Sequence, residues 1–140
     1  MKVLNVKSKG VLPSIQTIVD FENQNRINLP FDYKWFLLTQ NPISVIESDI
    51  LDYEVNCFYP IGCTDSSLEE TFAILNHFFE SRFVPFAYDS GGWQFVICIE
   101  KGENYGKVYF CRMDEELDKA LTLLANSFDD FINKLEENPS

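Results

Sequence analysis

The chain has a single histidine, His77, among its 140 residues. Any Ser–His or Cys–His catalysis would rest on that one imidazole, which falls inside a predicted helix and off its apolar stripe. It reads as an exposed or hydrogen-bonded residue rather than a base. The four cysteines, Cys57, Cys63, Cys98 and Cys111, contain no C-x-x-C pair. Zinc needs close cysteine pairs or more histidines, so the expectation is four free thiols, no metal and no cofactor. Cys98 and Cys111 lie in apolar runs and read as small buried hydrophobes. There is no G-x-S-x-G, no P-loop and no G-x-G-x-x-G. Gly102 and Gly106 flank Glu-Asn-Tyr, which is too long for a phosphate cradle. No run approaches membrane-spanning length, and the N-terminus lacks the apolar core of a signal peptide. Cytoplasmic residence follows as the expectation, and thiols stay reduced there.

Positive charge is also scarce. Eleven Lys and Arg face 22 Asp and Glu, a formal net charge of −11. That balance opposes binding to nucleic acid and to anionic membranes, and it suits a basic protein partner. The same charge also serves solubility alone. Carboxylates are so abundant that no single pair of them points to acid–base chemistry.

What the chain does have is apolar and aromatic mass. Hydrophobic residues make up 46%, with 13 phenylalanines, enough for one folded domain over residues 1–140 with a proper core. The most legible stretch is Phe83 to Ile99. Phe83 to Tyr88 is apolar, with Pro85 inside it, which argues for an edge strand or a strand end. Asp89-Ser90-Gly91-Gly92 is turn chemistry. Strict alternation follows: Trp93, Phe95, Ile97 and Ile99 point one way, and Gln94, Val96, Cys98 and Glu100 the other. A core hairpin accounts for the stretch. A recognition surface of Tyr88, Asp89 and Trp93 around the Gly-Gly turn is the functional alternative.

In chain order, residues 1–12 are mixed and read as frayed. Ser14 caps a helix whose face carries Ile15, Ile18, Val19 and Glu22, ended by Asn23-Gln24-Asn25. Pro30 fits the first position of a second helix, with Tyr33, Phe36 and Leu37 on one face and Trp35 and Leu38 widening it. Asn41-Pro42 stops that helix. Ile43, Val45 and Ile50 suggest a short strand and a turn, and Val55 to Tyr59 a further strand. Glu47, Asp49, Asp52, Glu54 and Asp65 cluster here, either as solvated loops or as an acidic rim around a groove. Ser66 and Ser67 each offer a capping box to a helix striped by Leu68, Phe72, Leu75 and Phe79. After the hairpin come a polar loop and a strand at Val108–Cys111. Asp114 can cap a short turn through Leu117. Residues 117–125 are ambiguous between helix and strand. Ser127 opens a last helix through Phe128, Phe131, Ile132 and Leu135, ending before Pro139.

Four segments carry a resemblance. L-P-F-D-Y-K-W-F-L-L at 29–38 resembles the L-P-x-x-Y-x-x-F-L helix of the SUKH superfamily. This superfamily groups yeast regulators of cell-wall glucan synthesis with bacterial immunity proteins. F-A-Y-D-S-G-G-W-Q-F-V-I at 86–97 resembles its central strand–turn–strand, G-K-V-Y-F at 106–110 the next strand, and S-F-D-D-F-I at 127–132 the closing helix. The matches keep the family's order and span most of the chain from Leu29 on. Where family members have Asn-Gly-Gly after the first helix, this chain has Asn41-Pro42. The resemblance implies an α+β fold, a mixed or antiparallel sheet packed by helices. It implies no enzyme activity. The implied role is binding and neutralising a toxin, often a nuclease, in bacterial relatives, and regulating glucan synthesis in fungal ones. A carboxylate-dependent hydrolase is the remaining alternative. Residues 83–88, 93–100 and 107–112 are expected in the sheet, and helices near 30–40, 67–80 and 128–136. The expected partner-binding residues are Glu47, Asp49, Asp52, Tyr88, Asp89 and Trp93, forming one acidic and aromatic groove.

Overall fold

The computed structural model describes residues 1–138. Its elements run β1 (Val6–Lys9), α1 (Ile15–Asn25), α2 (Phe31–Thr39), β2 (Pro42–Ile50), β3 (Tyr53–Phe58), α3 (Leu68–Phe79), β4 (Phe83–Tyr88), β5 (Gln94–Cys98), β6 (Val108–Cys111), α4 (Leu117–Ala120), β7 (Leu121–Ala125), α5 (Phe128–Lys134) and β8 (Glu136–Glu137). The strands form one sheet in the order β1-β2-β3-β4-β5-β6-β7, with β8 also on β2. Every pairing is antiparallel, so of the two expected arrangements the sheet takes the antiparallel one.

Local chemistry sets the helix starts. Ser14, Ser67 and Ser127 each adopt an extended backbone and accept an N–H from three residues on: Thr17, Glu70 and Asp130. At α3 the cap is Ser67 rather than Ser66. Pro30 precedes α2 as its cap residue instead of opening its first turn. Asp114 caps nothing; α4 begins after Glu116, without a side-chain cap. The ambiguous 117–125 segment is both things in succession, α4 and then β7. Its last five residues pair with β6. The helix opened by Ser127 ends at Lys134, and Pro139 lies outside the described residues.

The main core lies on one face of the sheet. Ile18 and Phe21 of α1, Tyr33, Phe36 and Leu37 of α2, Leu68 and Phe72 of α3, and Phe128, Phe131 and Ile132 of α5 pack there against Val55, Phe86, Phe95 and Phe110. Phe86 and Phe128 meet edge to face at 5.1 Å, as do Phe86 and Phe131. A smaller cluster, with Phe79, Val96, Cys98, Cys111, Leu117 and Ala120, covers the other face at the β4–β6 end. The strand β5 is thus buried on both sides. Trp35 does not widen the buried face of α2. It is 52% exposed, and with Ile15 and Phe31 it lines a cleft of about 180 Å³ between α1 and α2.

Three strand expectations need correction. The N-terminus is not frayed: Val6 to Lys9 pairs with β2, and Leu4 is buried, its N–H donating to Gln40 Oε1 at 2.9 Å. Residues 42–50 form one nine-residue strand, not a short strand and a turn. Its alternation is hidden by an irregularity between Ser44 and Ser48. Finally, β4 is internal despite Pro85. Only Ala87 and Tyr88 pair with β3, so Pro85 lies on a half of β4 that has no β3 neighbour. The missing N–H therefore costs no ladder bond on that side.

Candidate functional site

Three carboxylates stand in a row on the sheet. Asp49 of β2 is directly opposite Glu54 of β3 on one side and Glu136 of β8 on the other. Directly opposed residues share a face. The flanking Ser48 and Ile50 are buried, so this row faces away from the main core. Glu47 is exposed nearby. With Glu54, Asn56 and Lys7 it lines a depression of about 210 Å³, where Lys7 is the single cation. Asp52 is exposed at the β2–β3 turn. Among the described residues, none of these five carboxylates has an ion-pair partner. Their contacts are neutral: Asn138 Nδ2 donates to Asp49 at 2.8 Å, and the Ser90 N–H to Glu54 at 3.3 Å. Among the described residues no three His, Cys, Asp or Glu side chains are grouped to hold a metal ion. The row is a charged surface rather than a cation cage.

Beside Asp52, Leu51 points into solvent, 72% exposed, with a φ of 53°. A bulky side chain in the left-handed region is rare and strained. An exposed leucine on a strained turn amid carboxylates is an apolar knob in an acidic field.

The turn at 89–93 supports this end of the sheet. Asp89 Oδ1 accepts the N–H groups of Gly91 at 3.0 Å and Trp93 at 2.9 Å. The Asp89 N–H in turn donates to the Trp93 carbonyl at 3.0 Å. Gly92 has a φ of 88°, which a glycine takes freely. One oxygen of Asp89 is therefore engaged in building the turn that presents the Ser90 N–H to Glu54.

Tyr88 and Trp93 both pack against the main core cluster. Tyr88 is opposite Gln94. Trp93 packs against the main core and meets Phe110 edge to face at 6.0 Å, and Phe95 meets the same ring at 5.2 Å. Trp93 is half-buried and precedes β5 rather than belonging to it. The structure thus brings Glu47, Asp49 and Asp52 together with Glu54, and sets Tyr88 and Trp93 half-buried against the main core. Tyr88 is half-buried beside Tyr59, with ring centroids 5.0 Å apart, and the Tyr59 hydroxyl bonds to Gln94 at 2.8 Å. Burial pushes both hydroxyls up to about 12, so both are neutral donors at physiological pH.

Glu54, Glu136 and Leu51 were not among the residues singled out from sequence as partner-binding. Glu54 was visible in the acidic cluster. Glu136 joins the row only through a two-residue strand that no periodicity reveals. His77 is exposed on α3, as its place off the apolar stripe suggested.

Residues 12–134 match the SMI1 / KNR4 family (SUKH-1), and the chain belongs to that family. The resemblance at 29–38, 86–97, 106–110 and 127–132 falls within the matched span. A comparison with curated proteins finds no match. No helix among the described residues is long and apolar enough to cross a membrane.

Proposed function

We propose, starting from membership of this family, that the protein is a cytoplasmic, non-catalytic immunity protein. It binds a basic protein partner, a toxin domain such as a nuclease, and blocks it. The observation that carries this reading is the unpaired row Glu54–Asp49–Glu136, with Glu47 and Asp52 beside it. Like charges directly opposed across strands destabilise a sheet. A fold that keeps three of them in line with no ion pair among the described residues pays for something other than its own stability. Basic side chains of a partner, such as those with which a nuclease holds phosphate, would neutralise the row. The gain falls mostly on encounter rate and selectivity. Leu51 and Tyr88 supply apolar contact, which slows dissociation. Asp89 and Trp93 act at one remove, by holding the 89–93 turn against Glu54.

The test is co-expression with a toxin encoded beside this gene. Protection by the wild type, and its loss in a folded Asp49→Lys/Glu54→Lys variant, is the expected result. Equal protection by both forms contradicts the assignment of the surface. A reproducible absence of any complex with the neighbouring product would favour the regulatory role of the fungal branch.

A further inference from the structure

The two edges of the sheet are built differently. At one edge, β2 is covered by β1 along one half and by β8 along the other. The strand β1 carries Lys7 and Lys9 and two register irregularities, devices that oppose pairing with another chain. At the other edge, among the described residues, β7 pairs only with β6 and no strand lies beyond it. Its residues, Leu-Thr-Leu-Leu-Ala, include no charge and no proline. Leu121 to Leu123 pair regularly with β6, the register shift falling after Leu123. Leu123 is 48% exposed.

We infer that β7 is a homodimerisation edge, which pairs antiparallel with β7 of a second copy and places Leu123 against its own counterpart. The distribution of charge selects this occupant. Of the four carboxylates within five residues of β7, three are already paired, Asp118 with Arg82, Asp129 with the N-terminal amine and Asp130 with Lys134, and Glu116 alone has no ion pair among the described residues. The unpaired acidic row lies at the far side of the sheet, on β8, β2 and β3. In a β7–β7 dimer the two β3 strands stand nine strand spacings apart, about 43 Å at ~4.8 Å each. Charges interact weakly beyond a screening length of about 8 Å at physiological salt. The edge therefore joins two strongly acidic chains where repulsion is least, and leaves both acidic rows free. A basic partner would gain nothing from an uncharged edge. A two-fold pairing is self-complementary and closed, so it stops at the dimer.

The test is sedimentation velocity on the full chain from low to high micromolar concentration, at low and high salt. A monomer–dimer equilibrium that strengthens with salt is expected, because salt screens residual repulsion. Binding of a basic partner at the acidic row weakens with salt, so the two readings separate. Leu123→Lys should raise the dimer dissociation constant about tenfold or more by removing the central apolar contact. Leu123 is half exposed, so that variant should remain folded by circular dichroism. Hydrogen exchange at residues 121–125 should slow with rising concentration. A monomer under all conditions, a dimer indifferent to Leu123→Lys, or a dimer that weakens with salt would each overturn the inference.

Discussion

Asp49 and Glu54 stand directly opposite one another across β2 and β3, and neither meets a cation among the described residues. This pair links the energetics of the fold to its proposed use. A repulsive contact retained at the surface has a cost in the free protein and a use in the complex.

Glu54→Gln should therefore stabilise the isolated protein. It removes the repulsion and keeps an oxygen for the Ser90 N–H. The expected gain is about 0.2–1 kcal/mol in urea unfolding. A loss of stability would mean that Glu54 is already favourably placed.

Leu51→Asn should also stabilise the free protein, by on the order of 1 kcal/mol. Asparagine tolerates the left-handed conformation that leucine resists. The same change should speed dissociation from a partner, because it removes the exposed apolar knob. Unchanged unfolding and unchanged off-rate would remove Leu51 from the account.

Asn41 has the opposite character. It is fully buried, donates to the carbonyls of Val11 and Ile61 at 3.0 Å each, and accepts the Ile61 N–H at 2.9 Å. It ties the N-terminal arm to the loop after β3, at the place where this chain departs from the family's glycine-rich turn. Asn41→Ala should cost about 3 kcal/mol, since it leaves buried backbone groups unpaired. A cost near zero in thermal or chemical unfolding would show that the loop repacks around the loss.

How much of this was legible in the sequence follows from which signals survive folding. Helices α1, α2, α3 and α5 announced themselves by caps and a period near 3.6, and the β4–β5 hairpin by alternation. The strand β2 was not legible as a whole, because Glu47, Ser48 and Asp49 interrupt its apolar pattern at an irregular register. Three of the four residues of β1 are exposed, so burial left no mark on its sequence. The phase between strands was the larger gap. Alternation places Trp93 with Phe95 and says nothing about Tyr88. Only the pairing shows that Tyr88 stands opposite Gln94 rather than in phase with Phe95. The acidic row has the same origin, since Asp49 and Glu136 meet by register across 87 positions of chain.

Alkaline pH should destabilise the fold. Burial raises the Cys111 thiol from 9.0 to about 11 and chiefly raises the Tyr59 hydroxyl from 10.0 to about 12. The folded state holds these protons more tightly than the unfolded chain does. Their contribution is complete below the ordinary values and is lost as pH rises through the raised ones. Urea midpoints should fall between pH about 9 and about 12. In native protein, half-buried Cys57 and Cys63 should react with a thiol reagent before buried Cys98 and Cys111. Four thiols should be counted after denaturation without reductant. A flat pH profile, or fewer than four thiols, would contradict these assignments.

The central claim is that the acidic row steers a basic partner. Its most direct test is the association rate with the partner, measured by stopped flow as a function of ionic strength, for wild type and for Asp49→Lys/Glu54→Lys. The account predicts a wild-type rate that falls steeply with salt. The variant should associate at least tenfold more slowly at low salt, with a much flatter dependence. Equal rates and equal salt slopes for the two proteins, with the variant folded, would contradict it.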